Sequence, residues 1–171
     1  MEKYELALAV TKNGLATLTH LLEKVETHIK EKEITEDSLL SASLSPDMFA
    51  FARQIQIATD DARRNLLLLA GKEHIKMDDT EKTVVELKER VKKTLEVIAS
   101  LKKEDFEGAD ERHISLYWMG DKYVEGKDFV EEFFFLNFFF HVVTAYDILR
   151  KEGVAIGKMD FITKFTMKSN P

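Results

Sequence analysis

FFFLNFFFHVVTAY, the stretch from Phe133 to Tyr146, decides what kind of fold this chain can form. Glu131 precedes this apolar run, and Asp147 and Arg150 close it. A helix that crosses a membrane needs about 20 apolar residues, so the run is too short to span one. Because a helix that is apolar nearly all round must be covered on every side, we predict a core helix of a soluble bundle, without a membrane partner.

The residues around this run predict the limits of its helix. Gly126 to Asp128 open the helix, and Gly153 ends it because glycine accepts the left-handed conformation found after helix ends. Before it, apolar residues alternate over 114–118, Gly120-Asp121 supplies a turn, and Tyr123-Val124 is an extended pair. This pattern predicts a small β-hairpin.

Three further amphipathic helices are predicted upstream. Helix one runs from about Tyr4 to Lys30, because its apolar residues recur at spacings of three and four. The members of this stripe are Leu8, Thr11, Leu15, Leu18, Leu22, Val25 and Ile29. Residues 31–44 mix charged and small residues and predict a long crossover with one helical turn. The same periodicity from Val84 to Leu101 predicts helix three, capped by Asp78 or Asp79.

Helix two carries start and stop signals. Ser45 is a suitable N-cap, Pro46 suits the first helical position, and Asp47 complements the positive end of the helix dipole. Leu44 and Phe49 fit a hydrophobic staple around that start. The helix is predicted to continue through residue 70 and to end at residue 71, a glycine.

Composition sets the class of protein. The 171 residues, of which 44% are hydrophobic, suffice for one core, so we expect a single domain over residues 1–171. A formal net charge of -6 disfavours nucleic acid as a partner. The sequence has no cysteine and its first residues do not read as a signal peptide, so we expect a cytoplasmic protein. Four helices with a long first connection predict an all-α four-helix bundle with crossovers.

Three longer stretches carry a resemblance to a known family. They are SPDMF at 45–49 with RQIQIATD at 53–60, NFFFH at 137–141 with TAY at 144–146, and GVAIGKMDF at 153–161. Together they resemble an uncharacterised domain-of-unknown-function family within the DinB/YfiT-like superfamily of metalloenzymes. The resemblance implies a DinB-like four-helix bundle. It also implies a metal site of three histidines, two of them four residues apart on the last helix.

The histidine pattern of this chain departs from that site. His141 has Asn137 four residues before it and Ala145 four residues after it, and helix two contains no histidine. Firm divalent sites require three or four convergent ligands. We therefore expect no metal and no other cofactor.

His141 is nevertheless the centre of a candidate pocket. On a helical wheel it shares the inward face of its helix with Asn137, so it should be buried and hydrogen-bonded. Helix two carries a polar stripe of Arg53, Gln56, Asp60 and Arg63, and periodicity leaves open whether this stripe meets His141 or faces solvent. In the first case, Asp60 could hold one imidazole nitrogen of His141. The pocket candidates are His141, Asn137, Gln56, Asp60 and Arg53.

The opposite face of the same helix is also apolar and needs a cover. Its members are Phe135, Phe139, Val142 and Tyr146. Either the C-terminal tail or a second copy of the chain can cover them. We expect a homodimer, because two-fold dimers are the commonest soluble assembly.

Three functions fit these features. The first is a metal-free DinB-like bundle of unknown role that binds a small molecule or partner near His141. The second, implied by the resemblance, is a metal-dependent transferase or hydrolase. The third is a purely structural or interaction protein. The surroundings of His141 distinguish them, since two further ligand atoms on its ring would favour the metalloenzyme and a dry apolar cage would favour the structural protein.

Overall fold

Four long helices form the body of the molecule in a computed structural model that describes residues 3–169. They are α1 (Lys3–Lys32), α3 (Phe51–Leu69), α4 (Val84–Ala99) and α6 (Phe135–Lys151), and the short α2 (Glu36–Leu40) lies in the first crossover. A 3-10 turn (Lys103–Phe106) and the strands β1 (His113–Ile114) and β2 (Val124–Glu125) follow α4. α5 (Gly126–Asp128) continues through a π-helical stretch (Phe129–Phe134) into α6, and α7 (Lys158–Phe161) lies in the tail. This arrangement confirms the predicted all-α four-helix bundle with a small hairpin.

α3 lies at the centre of the bundle, packed against α6 on one side and α4 on the other. α1 closes the bundle by contacting both α4 and α6. Leucines supply most of the core of α1, whereas in α6 Phe138 is joined by aliphatic residues, as expected for a closely packed apolar interior. The helix pair α3 and α6 therefore forms the most extensive interface in the described part of the chain.

The apolar run quoted above lies within a longer continuous helix, Gly126–Lys151. By length and composition alone this helix could cross a membrane. The core helix of a bundle has the same features, and here Phe134, Phe138 and Val142 are wholly buried inside the protein. Burial within the bundle thus accounts for these residues, and the absence of a membrane partner stays a prediction.

Two predicted helix caps are wrong, and for α3 the predicted start is wrong as well. α3 begins at Phe51, because the Ser45 hydroxyl donates to Asp47 at 2.6 Å and the Met48 amide donates to the Ser45 carbonyl at 2.9 Å. These bonds make a tight turn where a cap was predicted, and Leu44 and Phe49 are exposed and form no staple. α4 begins after Thr83, whose side chain accepts from the Glu86 amide while the Glu86 carboxylate accepts from the Thr83 amide. This capping box satisfies the free amides that Asp78 or Asp79 was expected to satisfy.

The hairpin is shorter than predicted. Its antiparallel register pairs His113 with Glu125 and Ile114 with Val124. Beyond these pairs, the Met119 amide donates to the Leu116 carbonyl at 2.9 Å and turns the chain out of the strand. Residues 115–123 therefore form a loop, which brings two aromatic side chains to the edge of the α3 and α6 interface.

The tail after Gly153 returns to α1. Thr17 donates through Oγ1 to the carbonyl oxygen of Phe161 at 2.7 Å, and Nε2 of His20 lies 2.8 Å from Asp160. The Phe161 ring packs edge-on against Tyr146 of α6, with ring centroids 5.9 Å apart. α7 thus covers part of the apolar α6 face. The sequence had left open whether the tail or a second copy of the chain covers it.

Candidate functional site

An open cleft of about 500 Å³ lies between α3 and α6, below the loop of residues 115–123. Its walls combine apolar and aromatic side chains with charged and polar ones. The lining residues are Phe49, Arg53, Ile57, Asp60, Asp61, Arg64, Tyr117, Trp118, Phe133, Asn137 and His141. The volume falls in the range of roughly 300–1,000 Å³ that is typical of small-molecule sites.

His141 is held by α3 in one orientation. Its Nδ1 lies 2.7 Å from Oε1 of Gln54, whose Nε2 donates to the Phe49 carbonyl at 2.9 Å. Because the Gln54 amide nitrogen is committed to Phe49, its oxygen faces His141 and accepts a hydrogen bond from a protonated Nδ1. Nε2 of His141 is then the unprotonated nitrogen. Burial, together with the nearby Arg53 cation, lowers the pKa of His141 to about 4, so the ring is neutral at pH 7.

Asn137 and Asp61 form a second fixed pair across the cleft. Nδ2 of Asn137 donates to Oδ2 of Asp61, and Nη2 of Arg64 donates to Oδ1 of the same carboxylate. The Asp61 side chain is almost wholly buried. Burial raises its pKa to about 6, although Arg64 and Asn137 act in the opposite direction and Asp60 adds to the rise. Asp61 therefore titrates nearer to neutral pH than an ordinary aspartate.

The negative charge of Asp60, by contrast, is balanced by two arginine side chains. Its Oδ1 accepts from Arg63 at 2.5 Å and from Arg90 of α4 at 2.7 Å. Arg90 also pairs with Asp79 at 2.9 Å and with Glu81 at 2.8 Å. This network of buried guanidinium groups and carboxylates ties α3 to α4 and to the loop before it.

Four of the five predicted pocket residues line the cleft: His141, Asn137, Asp60 and Arg53. Gln56 lies behind it, between Arg53 and Glu81. The polar stripe of helix two is thus divided, since two of its members reach the cleft while Gln56 and Arg63 are buried toward α4.

The partner expected for the imidazole is different in the structure. Gln54 holds His141, and Asp60 is engaged by two arginines instead. Sequence reasoning missed Gln54, Asp61 and Arg64, although Gln54 and Asp61 are seven residues apart and so share one helical face. That spacing was the available signal.

The predicted dimer face also needs correction. Val142 is wholly buried within the chain, so it cannot contact a partner. Phe135, Phe139 and Tyr146 are only partly exposed, because they pack against the core. The exposed apolar residues of α6 are Leu136, Phe140 and Val143, which lie one helical position further round.

The surroundings of His141 do not fit the metal site that the resemblance implies. Nδ1 is taken by Gln54, the nearest side chains on its own helix and on α3 offer amides, and Arg53 adds a positive charge. Within residues 3–169, no group of three histidine, cysteine, aspartate or glutamate side chains is placed to hold a metal ion. One imidazole beside a guanidinium is a poor donor set for a divalent cation.

The fold and cleft define a class: helical bundles with a partly polar, partly aromatic pocket between the second and the last long helix. The sequence profile of the family described as Domain of unknown function (DUF1993) matches residues 3–162, and the chain belongs to this family. The fold is also similar to the crystal structure of a DinB family member protein from Shewanella denitrificans. That similarity has a TM-score of 0.93 and 33% sequence identity, over 98% of this chain and 95% of the other. No curated protein matches the sequence. The resemblance to an uncharacterised DinB-like family is thereby confirmed.

The two shifted pKa values predict opposing pH effects on stability. For Asp61 the folded state binds the proton more tightly than the unfolded chain, so its contribution falls as pH rises from about 4 to about 6. For His141 the folded state binds the proton less tightly, so its contribution is lost as pH falls from about 6.5 to about 4. Each effect is worth about 3 kcal/mol, and in the parent protein they largely cancel.

Single variants should separate these effects. The free energy of unfolding of Asp61→Asn minus that of the parent should be about 3 kcal/mol larger at pH 7 than at pH 4. The reason is that the variant removes the cost of the buried carboxylate, which the parent bears only at the higher pH. His141→Gln should show the reverse trend. Urea unfolding at the two pH values measures both, with the exposed Asp121→Asn as control. If Asp61→Asn followed the parent at both pH values, the raised pKa of Asp61 would be contradicted.

Proposed function

We propose that this DinB-like protein binds a small molecule in the cleft between α3 and α6. The observation that carries the proposal is a pair of polar groups, the buried His141 and the half-buried Asn137, each fixed by a partner on α3 and each lining an open cleft. Polar side chains buried in a core need only an internal partner. These two also reach a cavity of ligand size, which a purely structural role does not require.

The supporting side chains make the cleft rigid on its polar side. Gln54 sets the ring of His141, and Asp61 sets the amide of Asn137. Binding to groups that are already oriented costs less ordering entropy than binding to mobile ones. The aromatic side, formed by the loop residues Tyr117 and Trp118, is more exposed and supplies apolar area for contact.

Trp118 allows a direct test, because it is the one tryptophan of the sequence and lines the cleft. In a fragment screen, ligands of the cleft are expected to shift the single indole N–H resonance of Trp118. Ile57→Phe narrows the cleft and should weaken these ligands at least tenfold. Ile75→Phe makes the same change at an exposed position outside the cleft and should leave binding unchanged. Ligands that bind both variants equally would contradict the proposal.

We also propose that two copies of the chain associate through the exposed face of α6. Leu136, Phe140 and Val143 lie at spacings of four and three, and each is at least 41% exposed. Glu131 and Glu132 lie near the start of the continuous helix Gly126–Lys151, and Arg150 and Lys151 lie in its last turn. Two antiparallel copies would therefore place opposite charges near each other at both ends of the contact.

Phe140→Glu tests the dimer. A carboxylate at the centre of an apolar contact loses hydration without gaining a partner, so the dimer dissociation constant should rise roughly 100-fold. Sedimentation over a concentration series measures this effect. Val85→Glu, on an exposed part of α4, is the matched control and should leave association unchanged. If the parent protein sedimented as a monomer throughout a 100-fold range of concentration, the dimer would be refuted.

A further inference from the structure

We infer that the ligand of the cleft is a planar aromatic or heteroaromatic acid that carries an N–H donor on the edge facing α6. This inference rests on the small-molecule function proposed above and specifies its ligand. It follows from three features of the cleft walls: the hydrogen-bonding character left to α6, the guanidinium groups of α3, and the shape of the aromatic side.

The α6 wall offers acceptors. Nδ2 of Asn137 is committed to Asp61, which leaves Oδ1 as the group that the amide can present to a ligand. Nδ1 of His141 is committed to Gln54, which leaves the unprotonated Nε2. Among residues 3–169, no hydrogen bond reaches either of these two atoms. Because the two residues lie four apart on one helix face, both acceptors belong to the same wall of the cleft. A ligand edge that binds both acceptors must therefore carry hydrogen-bond donors.

The α3 wall offers donors. Arg53 uses Nη1 for Gln56 and Asp79, and Arg64 uses Nε and Nη2 for Asn65 and Asp61. A guanidinium has five N–H groups, so both arginines retain donors for a ligand. A carboxylate is the group that matches a guanidinium in geometry and charge.

The arginines of the cleft already have carboxylate partners, and their remaining N–H groups are what a ligand can use. Asp60 pairs with the buried Arg63 and Arg90, Asp61 pairs with Arg64, and Asp79 pairs with Arg53. A ligand carboxylate that binds the free donors of Arg53 and Arg64 gains charge-assisted hydrogen bonds, whereas a cationic ligand offers these donors no acceptor.

The remaining walls favour a flat ring. Phe49, Tyr117, Trp118 and Phe133 surround the cleft, and Trp118 and Phe133 have ring centroids 6.0 Å apart. Tyr117 is 92% exposed and Trp118 is 58% exposed, so a ring stacked on them removes apolar surface from water. Aromatic side chains pair preferentially with other rings in stacked or edge-to-face arrangements.

The test uses three probes that share one ring: 4-aminobenzoate, benzoate and aniline. Dissociation constants are obtained from the shift of the Trp118 indole resonance in titrations of the full chain. 4-Aminobenzoate should bind roughly tenfold more tightly than benzoate, which lacks the N–H donor, and roughly tenfold more tightly than aniline, which lacks the carboxylate. Equal affinities for 4-aminobenzoate and benzoate in the parent would overturn the inference.

Two variants then locate the donor contact. In His141→Phe and in Asn137→Leu, the tenfold preference for 4-aminobenzoate over benzoate should shrink to about threefold or less, while benzoate itself still binds. The two variants are independent, and the comparison in the parent needs neither, so misfolding of one does not remove the test. A preference unchanged in both folded variants would overturn the inference.

The outcomes also separate this inference from the proposed function. If none of the three probes moves the Trp118 resonance but other fragments do, the ligand class is wrong and the cleft still binds small molecules. If no fragment of any kind moves it, both proposals fail.

Discussion

Replacing Arg90 by alanine is expected to lower the free energy of unfolding by about 3–5 kcal/mol, because it removes the cation at the centre of a buried charge network. The Arg90 side chain is 1% exposed and its guanidinium pairs with Asp60, Asp79 and Glu81. Its Nε also donates to Oγ1 of Thr59 at 2.7 Å. Asp60 keeps Arg63 and Asp79 keeps Arg53, but Glu81, whose side chain is 13% exposed, loses its arginine partner. Because several bonds are lost at once, the cost exceeds the worth of any one ion pair.

Urea unfolding of the purified variant measures this loss. The matched control is Lys88→Ala on the same helix, where Nζ pairs with Glu26 at 3.0 Å and about a third of each side chain is exposed. Solvent screens such a pair, so the control should cost at most about 1 kcal/mol. Similar costs for the two variants would show that Arg90 does not hold the network together.

Phe138→Ala should be equally severe, at about 3–5 kcal/mol, because it empties a fully buried site in the middle of the continuous helix Gly126–Lys151. The Phe138 ring packs on its neighbours in the helix and lies close to Gly14 of α1. A Cβ atom at Gly14 would lie 2.5 Å from Cε1 of this ring. Gly14→Ala should therefore cost about 1–3 kcal/mol through overpacking.

The double variant distinguishes close packing from a general loss of stability. When both changes are combined, the alanine methyl at position 14 can occupy part of the space left by Phe138. The total cost should then be smaller than the sum of the single costs. Phe165→Ala, at a position 70% exposed, is the control and should change stability by less than about 0.5 kcal/mol. Strict additivity would show that Gly14 and Phe138 do not contact each other in solution.

The sequence predicted where the helices lie better than how each one is rotated. The apolar run at 133–146 located α6, since its composition has few alternatives to a core helix. The start of α3 was misjudged because Ser45, Pro46 and Asp47 suit a tight turn as well as a helix cap. Contacts with the rest of the bundle decide whether the turn or the cap forms, and the local sequence does not specify these contacts.

The same limit explains the error at the cleft. Asp60 and Asp61 are adjacent, so they point about 100° apart on the helix surface. Choosing between them requires the rotation of α3 against α6, which follows from tertiary packing. Asp60 turned toward Arg63 and Arg90, and Asp61 met Asn137. On α6, a rotation of one residue likewise separates the predicted Phe139 from the exposed Phe140.

The return of α7 to α1 affects the order in which the chain can assemble during synthesis. Thr17 and Phe161, which it brings together, are 144 residues apart in sequence. At a ribosomal rate of about 5–20 residues per second, the N-terminal helix exists for roughly 7–30 s before its last partner is made. α4 can cover part of α1 earlier, but the face of α1 that meets α6 and α7 stays open for most of translation. Completion of the bundle is therefore a late event that joins the two ends of the described chain.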